Sequence, residues 1–380
     1  MRKIKTKIIF NKLNKQKIEL SESYKYVTYP VQEPAHSTLK GDIRLIWFIP
    51  DFGIGSGGHL NIFRMIYNLE KLGIKSDLAI CGQSQWPNEK IAKQTIDSNF
   101  FTLSSNVIFL ENKDDFKKLE SYHIAMATSW QTAYFVNSFA DCIHKLYFVQ
   151  DFEPYFYAKG SLYSFAGNTY KFGFDGITAG SWLSNKLSQE YGMNCIPFSF
   201  SYDQDLYFSH EKKHTSKRVF FYARPATERR AFELGVLALH ELYLLNNNVE
   251  IVMAGGDISD YDVPFPHICM DIVPISELSS LYSQCDVALV LSFTNLSLLP
   301  LELLASGCEV LLNEGENNTW LDKDKTLFHY TNTNVINIEQ KLHGILNGTI
   351  QRNKTIDNTF LDSTFWYNEA KISYETIMKK

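Results

Sequence analysis

Close pairs of cysteine are missing from this sequence. Its six cysteines are spread through 380 residues, with no two at the short spacing of a disulfide framework or a zinc site: Cys81, Cys142, Cys195, Cys269, Cys285 and Cys308. This absence argues against both kinds of cross-link. Several of these cysteines stand inside apolar runs, so we expect reduced thiols in the core and a reducing compartment, the cytoplasm.

Long apolar runs and an excess of positive charge are also missing. No window approaches the ~18 apolar residues of a membrane span, and the first residues are charged rather than apolar as in a signal peptide. The net charge is -5 and the sequence pI is near 6.1. Because a protein that coats nucleic acid normally needs a strongly basic domain, we expect a soluble protein with no nucleic-acid partner.

The positive charge that is present is concentrated at the amino end. Residues 1–40 contain nine lysines and arginines against three glutamates. Such an extension would suit peripheral contact with the anionic inner face of the cell membrane, at roughly 1 kcal/mol per basic side chain. A solvated, irregular terminus is the alternative interpretation, and the charge pattern does not decide between the two.

Short apolar runs alternate with helical patterns from Ile43 onward. This alternation predicts parallel sheets with crossover helices, in a chain longer than one hydrophobic core usually serves. We therefore expect an α/β protein with two Rossmann-like, doubly wound domains over residues 41–200 and 201–355, with six and four strands. A basic extension over 1–40 precedes them, and a helix over 356–380 follows. Ligands of such sheets bind beyond the carboxyl ends of the strands, which places function in the cleft between the domains.

A glycine-rich loop follows the first predicted strand. Gly53, Gly55 and Gly58 have the G-x-G-x-x-G spacing found in nicotinamide-dependent enzymes. That fingerprint needs an acidic residue at the far end of the second strand, whereas Asp77 opens that strand. What remains is a loop that admits close approach of a ligand, before a helix start that attracts anions. We expect the backbone of Gly57 and Gly58 to contact a phosphate.

Two arginines follow the first strand of the second predicted domain. Arg224 comes directly after the apolar run, and Arg229 lies five residues on, where the next helix is expected to start. Guanidinium groups at that spacing can converge on a diphosphate, and the helix start adds to the positive field. Solvated ion pairs with Glu228 or Glu233 are the alternative interpretation of the same charges.

A third loop, within residues 291–307, carries a carboxylate. A polar stretch and a proline come before Glu302, at the start of an apolar helix. This carboxylate could accept two hydrogen bonds from sugar hydroxyls, while the N–H groups near Leu298 and Leu299 face a phosphate. The alternative is a first-turn glutamate that only complements the helix dipole.

At these three loops the sequence resembles the retaining GT-B glycosyltransferases of family four. In that family an Arg and a Lys after the first strand of the second domain hold the donor diphosphate. Arg224 matches the Arg, Arg229 stands at the Lys position, and Glu302 matches the second of two motif glutamates, which binds the donor ribose. The first glutamate, eight positions earlier, is replaced by Thr294. This departure affects the usual contact with the transferred sugar.

Longer segments resemble the bacterial rhamnosyltransferases of S-layer glycan and O-antigen assembly, which also lack the first glutamate. These segments are Tyr147–Leu187, Phe221–Gly235 and Leu299–Gly307. The resemblance implies a hexosyltransferase that moves L-rhamnose from dTDP-L-rhamnose to a growing cell-surface polysaccharide, with a glycan or lipid-linked saccharide as acceptor. It also implies an acceptor-side first domain, a nucleotide-sugar-binding second domain and a last helix that crosses back to the first.

We expect no metal and no other cofactor. The one Asp-x-Asp pair, Asp203 with Asp205, lies in the predicted linker rather than after a strand, and no histidine cluster has ligand spacing. The positive charge for the leaving diphosphate would then come from arginine and from backbone N–H groups.

The expected site combines these residues. Asp151, after the fifth strand, would be the base of an inverting reaction or orient a hydroxyl in a retaining one; a strand-end cap is the alternative. His59 could touch either substrate or be bonded locally. We expect catalytic roles for Asp151, His59, Arg224 and Arg229, and acceptor contacts from His59, Gln150 and Asp151. The expected donor contacts are Gly57, Gly58, Arg224, Arg229, Gly255, Val273, Leu278, Ser297, Leu298, Leu299 and Glu302.

Two other functions stay open on the sequence. A nicotinamide-dependent oxidoreductase would depend on the glycine loop alone. A non-catalytic module that binds a sugar or nucleotide is suggested by Thr294, because the residue that usually contacts the transferred sugar is missing.

Overall fold

The first half of the chain forms a seven-stranded parallel sheet. The computed structural model describes residues 20–351 and 364–380. The strands are β1 (Arg44–Pro50), β2 (Lys75–Cys81), β3 (Asn106–Leu110), β4 (Tyr122–Ala127), β5 (Cys142–Val149), β6 (Asp175–Ala179) and β7 (Cys195–Phe198), in the order β3-β2-β1-β4-β5-β6-β7. The interior of β1 is buried because helices cover both faces of the sheet, which is why its sequence is a continuous apolar run.

The helices of this first lobe, apart from the first, which precedes β1, connect successive strands. They are α1 (Leu20–Ser23), α2 (Gly57–Lys71), α3 (Glu89–Asn99), α4 (Trp130–Ser138), α5 (Ser161–Thr169) and α6 (Ser181–Tyr191). Side-chain caps fix several starts: Asn88 accepts from the Ile91 N–H, and Ser129 forms a capping box with Thr132. Each cap fixes where the loop after a strand becomes a helix.

The second lobe repeats the pattern with six parallel strands. They are β8 (Arg218–Tyr222), β9 (Glu250–Ala254), β10 (Ile268–Cys269), β11 (Val287–Val290), β12 (Glu309–Asn313) and β13 (His329–Thr331), in the order β10-β9-β8-β11-β12-β13. The helices are α7 (Phe232–Leu245), α8 (Ile275–Ser283), α9 (Leu299–Ala305), α10 (Glu316–Thr319), α11 (Val335–Asn347) and α12 (Trp366–Met378). The prediction of two doubly wound parallel sheets is confirmed.

The last helix returns to the first lobe, as expected from the sequence. α12 packs against α2 and β7. The Arg64 guanidinium lies 4.6 Å from the ring centroid of Trp366, and the Glu369 carboxylate accepts a 2.6 Å hydrogen bond from the Ser199 N–H. Phe360, which we had placed in this helix, and the basic residues 1–19 lie outside the described residues.

The structure contains three strands that the sequence did not predict. β7 is four residues long, β10 has two exposed residues, and β13 has three. They were missed because an edge or near-edge strand this short carries no apolar run long enough to signal it. Apart from them, each predicted strand has its counterpart. Within the described residues, no helix has the length and apolar character that a membrane crossing requires.

The lobes share one core. Alternate residues of β1 point to its two faces, and the face of Trp47 belongs to an apolar cluster that continues through Phe220 of the second sheet to Ile377 of α12. The opposite face, with Phe48, packs in a separate cluster within the first lobe. The relative placement of the two sheets is therefore fixed by apolar packing as well as by the polar contacts described below.

We predict that Gly235→Ala lowers the free energy of unfolding by about 1–3 kcal/mol, because overpacking a closed interface forces neighbours to move. A Cβ at Gly235 in α7 would overlap the ring of Phe221, which is completely buried in β8. This loss should exceed the gain of about 1 kcal/mol that alanine brings to a helix. Urea unfolding measures the difference. Leu237→Ala in the same helix, at a side chain that is 52% exposed, is the control and should change stability little. A Gly235→Ala protein as stable as the wild type contradicts the prediction.

Candidate functional site in the interlobe cleft

The loops at the carboxyl ends of the two sheets meet in one cleft. From the first lobe come the loop between β1 and α2 and the residues directly after β5. From the second come the loop after β8, which carries the arginines, and the loop after β11. Hydrogen bonds between Asp151 and the Thr294–Asn295 segment join the two sides. The parallel sheets put these loops together because all strands of a sheet end at the same edge.

Asp151 is the centre of this contact. Its Oδ1 accepts 2.8 Å hydrogen bonds from the N–H groups of Phe152 and Asn295, and its Oδ2 accepts a 2.8 Å bond from the Thr294 hydroxyl. The Arg229 Nε lies 3.9 Å from Oδ2. Burial raises the pKa of Asp151, and these donors and the arginine oppose the rise. Both oxygens are thus occupied, and in this structure Asp151 links the lobes; its catalytic role stays a prediction.

Asn295 extends the contact, and the sequence gave no reason to single it out. Its side-chain N–H groups donate to the carbonyls of Gln150 (3.1 Å) and Ala179 (2.7 Å), and its Oδ1 accepts from the Trp320 indole at 3.1 Å. The Trp320 indole packs directly on Gly180. A Cβ at that position would overlap the indole, so the contact requires glycine there. Thr294 is fully buried beside Asn295. The position of the missing glutamate is therefore an interlobe contact here.

Three arginines gather on the second-lobe side. Arg224 is exposed, and its Nη1 donates to the Tyr222 hydroxyl at 3.1 Å. The Arg229 guanidinium lies 4.0 Å from the ring centroid of Phe156, a residue of the first lobe. Arg230, which we had not predicted, is only 9% exposed. Burial lowers the pKa of Arg229 and of Arg230 below the ordinary guanidinium value, but arginine stays protonated at neutral pH.

One local expectation about these arginines is wrong. Arg229 does not begin the next helix; it lies in a 3-10 turn, Glu228–Arg230, that is separated from α7 by Ala231. Ala231 has the left-handed backbone values φ 46° and ψ 55°. The turn is fixed to the neighbouring loop by a 3.0 Å bond from the Phe293 N–H to the Arg229 carbonyl. The charges are therefore placed by a rigid turn rather than by a helix start.

The glycine loop forms the opposite wall. Gly57 and Gly58 are exposed in the first turn of α2, where N–H groups have no partner within the helix. The Gly58 carbonyl accepts a 3.1 Å bond from the Gln150 side chain. The ring of His59 lies 2.8 Å from the Ser56 hydroxyl through Nδ1 and 3.2 Å from the Pro50 carbonyl through Nε2, and burial lowers its pKa. Local bonding therefore describes His59 in this structure.

Asp77 lies near the start of β2, as the sequence suggested. It accepts from Arg44 at 3.0 Å and from the Tyr122 hydroxyl at 3.0 Å, near the amino ends of β1 and β4. This is the sheet edge opposite the cleft, so Asp77 is not available to a ribose in the cleft.

The remaining predicted donor residues divide into two groups. Gly255, at the end of β9, donates to the Asp271 carbonyl at 2.8 Å, and a Cβ there would lie 2.7 Å from the Tyr222 ring. Val273 and Leu278 are half-buried and pack on the apolar core. Together with Gly255, residues 271–278 form one rim of the cleft. The Tyr222 side chain thus lies between this rim and Arg224: its ring is next to Gly255, and its hydroxyl accepts from Arg224.

The second group lies at the start of α9. Glu302 lies beside the hydroxyl of Tyr207, a residue between β7 and β8, and burial raises its pKa to about 7 while Arg64 opposes the rise. The structure therefore turns its carboxyl toward the linker, and contact with a ribose stays a prediction. Leu298 is half-buried and Leu299 is buried. The Ser297 hydroxyl is buried without a hydrogen-bond partner within residues 20–351 and 364–380.

Glu153, two residues after Asp151, was not predicted from the sequence. It is 7% exposed, and its Oε2 accepts from the Tyr147 hydroxyl at 3.0 Å and from the Trp130 N–H. Burial raises its pKa to about 8. At neutral pH this carboxyl is therefore mostly protonated and adds little negative charge to the cleft.

A polar crevice of about 460 Å3 opens between the lobes beside these loops. It lies between the polar face of α6 and the segment that contains α10. Its lining combines amides, charges and two indoles, a set suited to polyhydroxylated ligands. The lining residues are Ser181, Trp182, Asn185, Lys186, Gln189, Glu190, Glu316, Thr319, Trp320 and Lys323.

The fold that carries this cleft is the GT-B fold, as predicted. Two Rossmann-like lobes face each other and the last helix crosses back to the first. The chain is similar to Anabaena Alr3699/HepE, solved in complex with UDP and glucose, with a TM-score of 0.68 and 10% identity over 89% of this chain and 100% of that one. It is also similar to a TarM variant from S. aureus in complex with UDP, with a TM-score of 0.65 and 9% identity over 89% and 98%. At such identities the likeness concerns the fold.

Sequence comparison adds two matches. Residues 217–343 match the family described as WsaF, C-terminal domain. Over 285 residues the chain is 33% identical to the O-antigen biosynthesis protein RfbC of Myxococcus xanthus, which covers 72% of this chain and 22% of RfbC. The chain thus spans about a fifth of the length of that relative.

Glu153→Gln should remove a pH dependence of stability. In the folded protein the carboxyl keeps its proton up to a pKa of about 8, whereas its ordinary value is 4.5. The unfolded chain therefore releases this proton first, and the contribution of Glu153 to the free energy of unfolding should fall as the pH rises from about 4.5 to about 8. Glutamine still accepts from Tyr147 and Trp130, so the variant should lack this fall.

Urea unfolding at a series of pH values across that window measures the effect. Glu375→Gln, which changes an exposed glutamate of α12, is the control and should keep the wild-type slope. The same slope in Glu153→Gln as in the wild type would show that Glu153 ionises normally.

Proposed function

We propose that this protein is a glycosyltransferase that moves a sugar from a nucleoside diphosphate donor to a growing cell-surface polysaccharide. The observation that supports this most directly is the group of three arginines at the carboxyl edge of the second sheet, facing a glycine loop across the cleft. The O-antigen role of RfbC and the UDP bound to HepE and TarM point the same way.

Transfer of a sugar from a nucleoside diphosphate needs positive charge beside the leaving phosphate. When the bond between the anomeric carbon and the donor phosphate breaks, its electron pair stays on the phosphate oxygen, and the acceptor hydroxyl oxygen bonds to the carbon. Donors that are already in position stabilise such a developing charge best. Arg224 and Arg229 supply it from one lobe, and the unused N–H groups of Gly57 and Gly58 supply it from the other. We assign the acceptor proton to the leaving phosphate in a retaining reaction.

Asp151 fits an orienting role better than a free base. Its oxygens are held by Thr294 and Asn295, so a base role would require this loop to move. An orienting role needs no such movement, because a carboxylate that accepts from the loop can accept from a sugar hydroxyl as well. Gln150 and the crevice between α6 and α10 then form the acceptor side, for a glycan or a lipid-linked saccharide.

For the donor we propose dTDP-L-rhamnose. The rim from Asp271 to Leu278 would hold the base through its main chain, and Glu302 would hold the ribose after release from Tyr207. The apolar side chains of Leu298 and Leu299 suit the methyl group of a 6-deoxyhexose. The match to the WsaF C-terminal domain lies over this half of the chain.

We predict that Arg224→Ala and Arg229→Ala each lower turnover by roughly 100-fold or more, as the loss of one charge-stabilising donor typically does. The assay is release of dTDP from dTDP-L-rhamnose by the purified protein, with and without added saccharide acceptor. Arg218→Ala is the matched control, because Arg218 lies at the amino end of β8 and pairs with Glu250 at 2.7 Å. Wild-type rates in both cleft variants would remove the reason for placing the diphosphate there.

We also propose that the reaction needs no divalent metal, because guanidinium groups already provide the charge for the leaving group. The rate of dTDP release should then be unchanged within error after dialysis against EDTA. Restoration of a lost rate by added Mg²⁺ or Mn²⁺ would contradict this part of the proposal.

A further inference from the structure

We propose that Arg230 is a third ligand of the donor diphosphate and makes the cleft selective for nucleoside diphosphates over nucleoside monophosphates. This inference depends on the proposed function, which assigns the diphosphate to Arg224 and Arg229 only.

Arg230 is a buried cation that forms no ion pair within residues 20–351 and 364–380. It is 9% exposed, and its Nη1 has no hydrogen-bond partner in the described part of the chain. No carboxylate among the same residues lies within ion-pair distance of it, whereas the neighbouring Arg229 at least lies 3.9 Å from Asp151. Burying an unpaired charge is strongly unfavourable. A protein that keeps one beside its cleft has a site ready for an anion.

The three guanidinium groups form one cluster around two rings. The Arg224 and Arg230 guanidinium carbons each lie 5.9 Å from the ring centroid of Tyr222. The Arg229 Nε is a second buried nitrogen without a hydrogen bond to any described residue. The cluster thus contains two buried guanidinium nitrogens, Arg229 Nε and Arg230 Nη1, that make no hydrogen bond to any described residue.

The backbone holds this cluster in place against its own repulsion. The Arg230 N–H donates to the Thr227 carbonyl at 2.8 Å, and the Ala231 N–H donates to the Glu228 carbonyl at 2.9 Å. The left-handed conformation of Ala231, unfavourable for an alanine, closes the turn directly after Arg230. A strained residue persists only where the surrounding structure enforces it.

The charge balance identifies the class of ligand. Three arginines and Asp151 leave two positive charges, and the diphosphate of a nucleotide sugar carries two negative charges at neutral pH. A monophosphate-linked donor carries one and would leave one guanidinium uncompensated. The free nucleotides differ in the same direction, because at neutral pH dTDP carries about three negative charges and dTMP about two. Arginine also matches phosphate geometrically, because its planar fork donates two parallel hydrogen bonds. Arg230 is then the residue that senses the second phosphate.

The test is binding of dTDP, dTMP, UDP and UMP to the full chain by calorimetry. We expect the wild type to bind each diphosphate at least about 10-fold more tightly than the matching monophosphate, since hydrogen bonds to charged groups are strong. Arg230→Gln should weaken diphosphate binding about 10-fold or more and change monophosphate binding by less than about 3-fold. Arg230→Lys should fall between the two, because lysine keeps the charge but loses the fork.

Arg218→Gln is the matched control, since it removes one arginine from the opposite end of β8 and should leave all four affinities unchanged. The melting temperature without ligand separates a ligand-binding role from a structural one. Removing an unpaired buried charge should leave that temperature unchanged or raise it. A lowered melting temperature together with an unchanged ratio of dTDP to dTMP affinity would show that Arg230 is structural and would overturn the inference.

The outcomes for the two proposals are distinguishable. If the wild type binds none of the nucleotides, the proposed function fails and this inference fails with it. If the wild type prefers diphosphates and Arg230→Gln keeps that preference, only the role of Arg230 is wrong.

Discussion

The contact between the Asp151 carboxylate and the Thr294–Asn295 segment aligns the two walls of the cleft against each other. It joins the end of a first-lobe strand to a loop of the second lobe at the point where the arginines meet. Asn295 then ties the same loop to Gln150 and to Trp320. The two lobes also share one apolar core. These polar bonds therefore align surfaces that apolar packing already holds together.

The electrostatics of the cleft follow from burial on both sides of it. The three arginines stay cationic, while burial raises the pKa of two carboxyls, one in the segment after β5 and one in α9. The pKa of Glu153 is raised to about 8 and that of Glu302 to about 7. Asp151 is left as the principal negative charge beside the arginines. Three arginines and one close carboxylate therefore leave this part of the cleft net positive, in a chain that is negative overall.

The sequence could predict those site residues that directly follow a predicted strand. Arg224 could be found because charge directly after an apolar run marks the carboxyl edge of a parallel sheet. Arg230 could not, since it stands next to Arg229 in the sequence and no local pattern shows which of the two arginines the turn before Ala231 buries more deeply. Asn295 and Trp320 were missed for a related reason. Asn295 donates to Ala179 of the first lobe, 116 residues away, and Trp320 packs on Gly180 of the same lobe. No local pattern in the sequence indicates such a pairing across two lobes.

The amino-acid sequence by itself determined the two doubly wound sheets, the glycine loop and the arginine-bearing loop, because apolar periodicity and strand-end residues are local properties. The tertiary structure decided what each side chain faces. In it Asp151 accepts a hydrogen bond from Thr294, Glu302 lies beside Tyr207, and the Arg230 Nη1 has no hydrogen-bond partner among the described residues. The physical reason is that hydrogen-bond partners and desolvation depend on which chain segments meet in space, and in this protein the decisive segments belong to different lobes.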